Sequence, residues 1–137
     1  KQLEILFNKP KWFKKGWGDS NTFTCKNHAG FAFYIQDRYE VGLTEKWQFI
    51  EEHLNNANTN TNQLNESDCK MWYLNYCSYF KAFYHPPIVT SLLTNRKLKS
   101  HFRDTDEQSS RYKKIGTVIF DFPSNELINF VIETNFK

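Results

Sequence analysis

Cysteine is too scarce in this chain to brace it. Among 137 residues there are three, Cys25, Cys69 and Cys77, an odd set with no CxxC pair. Neither a zinc site nor a closed disulfide framework is indicated, although one disulfide with a leftover thiol fits the count. Apolar runs are short, and none approaches the roughly 20 residues needed to span a bilayer. No signal peptide opens the sequence and Lys1 is not an initiator methionine, so a processed, trimmed or partial chain is expected. A strong excess of one charge is also lacking. Eighteen Lys and Arg against fifteen Asp and Glu leave a net charge of +3. The basic residues are scattered and no nucleic-acid motif accompanies them, so no nucleic-acid partner is expected. A phosphate-bearing or anionic-membrane partner is permitted by the charge, not demanded by it. Aromatic residues are what the chain has in plenty: 13 Phe, 7 Tyr and 4 Trp, 18% of the sequence. With a mean hydropathy of -0.69, this is a globular chain able to bury a core, not a disordered one.

The clearest pattern is at residues 115–135. Ile115 to Phe120 is a β-branched and aromatic run that suits a strand buried on both faces. Asp121 ends it, Pro123-Ser124 breaks the extended pattern, and Ser124 can cap a helix over 125–134. Leu127, Ile128, Val131 and Ile132 would form the apolar stripe of that helix. Upstream, LEILF at residues 3–7 reads as a strand. Residues 8–30 hold Pro10, Gly16, Gly18 and Gly30 with many Lys and Asn, and read as a long loop; its aromatics Trp12, Phe13 and Trp17, beside Lys11, Lys14 and Lys15, fit pinning the loop more than touching lipid or a ligand. FAFYIQ (31–36) is a second strand, followed at once by Asp37. A helix is expected over 45–57, its apolar face made of Trp47, Ile50, Leu54 and Ala57. Residues 58–67 are polar and of low complexity, and read as an exposed linker; Asn65-Glu66-Ser67 matches the glycosylation acceptor pattern. MWYLNY (71–76) is a third strand with Asn75 near its end. Residues 88–102 read as an interrupted helical region.

Strands alternating with helices imply a parallel sheet with right-handed crossovers. Two strands hand directly to an aspartate, Asp37 and Asp121, and a third carries Asn75. Two carboxylates at the carboxyl ends of strands in one sheet point to a catalytic rim more than to helix caps.

Three stretches, in order, carry a resemblance: YIQDRYEV at Tyr34–Val41 followed by Lys46-Trp47 on the next helix, MWYLNYCS at Met71–Ser78, and RYKKIGTVIFDFPSNELINFVIETN at Arg111–Asn135. Together with GWGDSNTFTC at Gly16–Cys25, they resemble the bacterial and fungal type of phosphatidylinositol-specific phospholipase C over nearly the whole chain. The resemblance implies an α/β fold: half of a distorted TIM (β/α)8 barrel, residues 1–137 supplying about four parallel strands, the family's strands five to eight, with covering helices. A complete barrel of this class takes roughly 250 residues.

The same resemblance implies a phosphoric diester hydrolase that cleaves phosphatidylinositol-type glycerophospholipids without metal or other cofactor. In that family one His takes the proton of the inositol 2-hydroxyl, which attacks phosphorus, and a second His protonates the leaving diacylglycerol oxygen. An Asp at the end of the final strand orients the base, and Asp121 stands there. An Asp-x-Tyr binds the inositol ring, and Asp37 and Tyr39 stand there. The catalytic His pair lies in the family's first strands and has no counterpart here; His28, His53, His85 and His101 fall at no family position. The implied partners are the phospholipid headgroup, a membrane surface touched peripherally, and the amino-terminal half of the barrel, in a secreted or membrane-peripheral setting. The alternative is a non-catalytic pseudoenzyme fragment that binds phosphoinositide or sugar headgroups.

Overall fold

A computed structural model describes residues 20–26, 32–63, 71–80, 86–106, 114–134 and 136. The strand expected at 3–7, the aromatics of residues 12–17, the Asn65 acceptor triplet, Cys69, His28 and His85 lie outside the described residues. The order of elements is β1 (Asn21–Lys26), β2 (Ala32–Asp37), α1 (Leu43–Gln63), β3 (Met71–Tyr76), α2 (Pro87–Asp106), β4 (Thr117–Ile119) and α3 (Asn125–Glu133). The four strands form one sheet in the order β1-β2-β3-β4.

β2, β3 and β4 are parallel neighbours, with Gln36 opposite Asn75 and Tyr76 opposite Ile119. Each is joined to the next through a helix. Sequential strands placed side by side by crossovers of one hand put every helix on the same face. The core agrees: Ile50 and Leu54 of α1, Leu98 and Phe102 of α2, Leu127 of α3 and Cys77 and Ile115 beside the sheet form one cluster. The arrangement is a mixed α/β sheet of the kind found in part of a βα barrel.

β1 corrects the expectation of a loop over 8–30 and of an all-parallel sheet. Asn21 to Lys26 pairs antiparallel with β2, Asn21 opposite Asp37 and Lys26 opposite Ala32. Residues 27–31 alone separate the two strands, too few for a parallel crossover and enough for a hairpin. The Thr-Phe-Thr-Cys core of β1 has strand propensity, but flanking Asn, Gly and Lys mask it.

The helices also differ in extent. α1 runs on to Gln63, through residues read as linker. Asn and Thr are weak helix formers, but no Gly or Pro stops the chain there, and Ala57 is fully buried. α2 is continuous. Its hydroxyls turn back on the helix: Thr90 Oγ1 donates to Pro87 O (2.9 Å), Ser91 Oγ to Pro87 O (2.9 Å) and Thr94 Oγ1 to Thr90 O (3.1 Å). Bonded in this way, they no longer compete with the ladder. In α3 the Ser124 cap forms as expected, its Oγ accepting from Leu127 N at 3.3 Å. The buried stripe is rotated, however. Leu127, Phe130, Val131 and Thr134 face the core, whereas Ile128 and Ile132 stay exposed. β4 is shorter than 115–120 and is not buried on both faces; Thr117 is exposed. Ile115, ahead of β4, is nevertheless in the core.

His53 of α1 is packed under the sheet, stacked on Tyr34 at 5.1 Å and edge-on to Tyr73 at 5.6 Å. Its Nε2–H donates to Tyr34 O at 3.1 Å. The carbonyl can only accept, so Nε2 carries a proton. Burial pushes its pKa from 6.5 down to about 4. The unfolded chain therefore takes up this proton first. Stability is unaffected above pH 6.5 and falls as pH drops from 6.5 towards 4, by about 3 kcal/mol in all. In urea titrations, His53→Phe should flatten the difference in stability between pH 7 and pH 4.5. An unchanged pH slope would show that His53 is not buried neutral.

Candidate active-site rim

Parallel strands β2, β3 and β4 all end at one edge of the sheet, and the predicted site residues follow them there. Asp37 closes β2, Tyr39 lies two residues beyond, and Asp121 follows β4. β2 and β4 are separated only by β3, so their ends are about 10 Å apart. Among the described residues no cluster of three or more His, Cys, Asp or Glu could hold a metal ion.

The turn bearing Asp37 and Tyr39 is held from three directions. From the β1 side, Ser20 Oγ accepts from Tyr39 N (3.1 Å) and Glu40 N (3.0 Å). Ser20 does this from a left-handed backbone, φ 45°, a conformation disfavoured for a residue with a Cβ. From the β3 side, Phe80 N donates to Tyr39 O at 2.7 Å. From beneath, a buried polar network reaches up. Lys46 Nζ, on α1, donates to Arg38 O (2.7 Å) and to Gln36 Oε1 (3.2 Å). Gln36 Oε1 also accepts from Arg38 N (2.8 Å), while Gln36 Nε2 donates to Asn75 Oδ1 (2.8 Å) and Tyr76 O (3.0 Å). Asn75 Nδ2 in turn donates to Ile50 O at 3.1 Å. Gln36, Asn75 and Lys46 are all fully buried. A satisfied network of this kind fixes local geometry, because each member loses its partners if another moves.

Burial lowers the Lys46 pKa from 10.5 to about 8, with the nearby Asp37 charge opposing the fall. The Cys77 thiol, wholly buried, is pushed up to about 12; it is a core residue and not a nucleophile. Tyr76 is raised by burial and by the neighbouring Asp37 carboxylate.

Asp121 is exposed at the rim. Ser78 Oγ donates to its Oδ2 at 2.7 Å. Its backbone is fixed by Asn95 of α2, whose Nδ2 donates to both Asp121 O (2.8 Å) and Phe122 O (3.1 Å). Phe122 is left-handed, φ 48°, so the buried Asn95 amide grips the residue that turns the chain sharply out of β4. The described histidines do not reach this edge. His53 is under the sheet, and His101 packs edge-on to Trp47 with Nδ1 3.6 Å from Glu51 Oε1.

The sequence assigned no role to Lys46, Gln36, Ser20, Ser78 or Asn95, although Lys46, Gln36, Ser20 and Ser78 lie in or beside the stretches that carry the resemblance. One signal was available. Lys46 precedes Ile50, Leu54 and Ala57 on the apolar stripe of α1, and a lysine there must bury its amine or leave the stripe. Nothing in the spacing of the other four marks them.

Exposed apolar side chains gather at the same edge. Phe80 follows β3, Ile88 and Leu92 open α2, and Phe122 follows β4; Phe122 is 61% exposed. Beside them, a groove of about 490 Å³ between α2 and the start of α3 is lined by Leu92, Leu93 and Phe122 and by the cations Arg96, Lys99 and Arg103. Glu126 pairs with Lys99 and with Arg103. No helix among the described residues is long and apolar enough to cross a membrane.

No protein-family model and no curated protein sequence matches the chain. Solved structures do. The phosphatidylinositol-specific phospholipase C of Staphylococcus aureus, from work on modulation of its membrane binding, matches with a TM-score of 0.68 at 18% identity over 88% of this chain. A form of the same enzyme carrying pentafluoro-phenylalanine matches equally, and a double mutant matches with a TM-score of 0.67 at 20% identity. The chain spans 39% of the length of each. At such identity the likeness is one of fold: these residues are arranged as in part of a phosphatidylinositol-specific phospholipase C.

Proposed function

We propose that the chain is the carboxyl-terminal half of a phospholipase C-like phosphodiesterase barrel acting on phosphatidylinositol-type glycerophospholipids. The observation that carries this reading is the shared edge: three parallel strands end together, one in Asp37 and one two residues before Asp121, within a fold like that of a phosphatidylinositol-specific phospholipase C. In this reading Asp37 accepts hydrogen bonds from ring hydroxyls of the headgroup, and Tyr39 packs against the ring. Asp121 orients a base His contributed by the amino-terminal half, which also supplies the acid. The exposed Phe80, Ile88, Leu92 and Phe122 enter the lipid interface, with Arg96 and Lys99 behind them at the level of the phosphates.

The lack of a histidine at the rim among the described residues also suits a headgroup-binding pseudoenzyme. Cleavage of phosphatidylinositol vesicles by the full-length barrel separates the two readings: turnover supports the enzyme, and binding without turnover supports the binder. Under either, Asp37→Ala should weaken headgroup binding roughly tenfold or more, since charge-assisted hydrogen bonds are lost. Tyr39→Phe should do less, because ring packing survives. Calorimetric titration with glycerophosphoinositol measures both. Equal affinity in wild type and Asp37→Ala would remove Asp37 from the site.

A further inference from the structure

We propose that Lys46 is the positioning residue of the Asp37–Tyr39 pair, its buried amine acting as the pin that holds the Gln36–Tyr39 turn in the shape that receives a headgroup. The proposal rests on the headgroup-binding reading of that turn.

The geometry is specific. Lys46 is fully buried, and lysine is almost never so unless paired. Its partners are not a carboxylate at bonding distance but two oxygens of one turn, the Arg38 carbonyl and the Gln36 side chain. Arg38 is the residue between Asp37 and Tyr39, and its carbonyl fixes the Arg38–Tyr39 peptide plane. Gln36 Oε1 receives both the amine and Arg38 N, so the turn is closed at each end on the same pair of side chains. Lys46 stands in the first turn of α1, its own N–H bonded to Gly42 O at 2.8 Å. The pin is thereby mounted on a rigid element. Such a mounting is what precise placement of a binding pair requires.

A purely structural lysine would be replaceable. Burying an ammonium costs desolvation, and an apolar residue of similar volume is often as stable in its place. Lys46→Met keeps the chain length and loses only the amine, and Gln36 and Arg38 N still satisfy each other. The fold should persist while the turn loosens.

The groups facing the amine bear on its pH behaviour. The Asp37 carboxylate favours the charged form and burial opposes it, while the neighbouring Cys77 thiol, pushed up to about 12, carries no charge in this range. The His53 ring, farther along α1, is neutral well above pH 4. The amine should therefore lose its proton near pH 8, at which point the charge-assisted bonds to the turn weaken to neutral ones.

The test uses the whole chain labelled for NMR, with glycerophosphoinositol as probe. From pH 6 to 10, the Lys46 side-chain carbon and the backbone amides of Arg38, Tyr39 and Glu40 should titrate together, while amides of α3 stay still. Lys46→Met should melt within a few degrees of wild type, shift the same three amides and lose roughly tenfold in affinity. The double variant Lys46→Met, Asp37→Ala should lose little more than Asp37→Ala alone, because the two act as one unit. If Asp37→Ala weakens binding and Lys46→Met does not, the positioning role is wrong and the headgroup site stands. If Asp37→Ala has no effect, the site reading fails, and the amides alone decide whether Lys46 pins the turn. Amides of residues 38–40 that ignore both the titration and a folded Lys46→Met overturn the proposal. Should the variant not fold, the wild-type titration decides.

Discussion

Gly116→Ala is expected to lower stability by about 3 kcal/mol or more, a large share of the 5–15 kcal/mol that holds an ordinary domain together. Two costs add. Gly116 has φ +72°, where a Cβ costs roughly 1–2 kcal/mol. A Cβ there would also sit 2.6 Å from both Tyr73 Cβ and the Tyr73 carbonyl oxygen. Neither atom is the end of a flexible side chain, so β3 itself must yield, at roughly 1–3 kcal/mol. The close approach has a purpose. Ile115 is buried in the core and β4 must begin at Thr117, so the chain crosses β3 at Tyr73 before pairing Thr117 with Leu74. Gly42→Ala is the control: a Cβ at Gly42 meets nothing within 4 Å, and the change should stay within roughly 0.5 kcal/mol. Urea midpoints of the two variants measure the difference. Equal midpoints would mean that the crossing at Tyr73 is not as tight as it stands here.

What the sequence made legible follows from how locally each element is determined. β3 has the expected bounds because MWYLNY is short, aromatic and flanked by polar runs. α3 starts where Ser124 caps it. The apolar face of α1 is correct because Ile50, Leu54 and Ala57 recur at helical spacing with no competing stripe. The failures are those in which a neighbour decides. β1 is a strand because β2 offers it an edge, and the preference of its Thr-Phe-Thr-Cys core is masked by flanking Asn, Gly and Lys. The stripe of α3 is rotated because Phe130, rather than Ile128, meets the core shared by Leu98 and Phe102. The two aspartates were visible as strand-ending residues. Their supports were not, since Ser20, Ser78, Asn95 and Lys46 reach the two turns over 19, 43, 26 and 8 positions, mostly to backbone atoms, and no periodicity encodes such contacts.

The shared-edge reading makes its strongest demand on Asp121. In the full-length barrel, Asp121→Asn should leave the fold intact and reduce turnover by roughly three to four orders of magnitude, the scale seen when a triad aspartate becomes an amide. The fold should survive because the supports do not depend on charge. Asn95 holds the backbone carbonyls of residues 121 and 122, and the Ser78 hydroxyl can donate to an amide oxygen as it does to Oδ2. Turnover should fall because the amide offers an N–H where the base His needs an acceptor, so the ring is held in the wrong tautomer and its imidazolium goes unstabilised. Ser78→Ala should be far milder, leaving the carboxylate charge in place and removing one orienting bond. Asp37→Ala should differ in kind, raising KM more than it lowers kcat, since headgroup contacts serve ground state and transition state alike. Steady-state kinetics on phosphatidylinositol vesicles, with melting curves for each variant, distinguish these patterns. Turnover of Asp121→Asn within tenfold of the parent, in a protein that melts normally, would leave Asp121 as a turn residue and move the orienting role elsewhere on the rim.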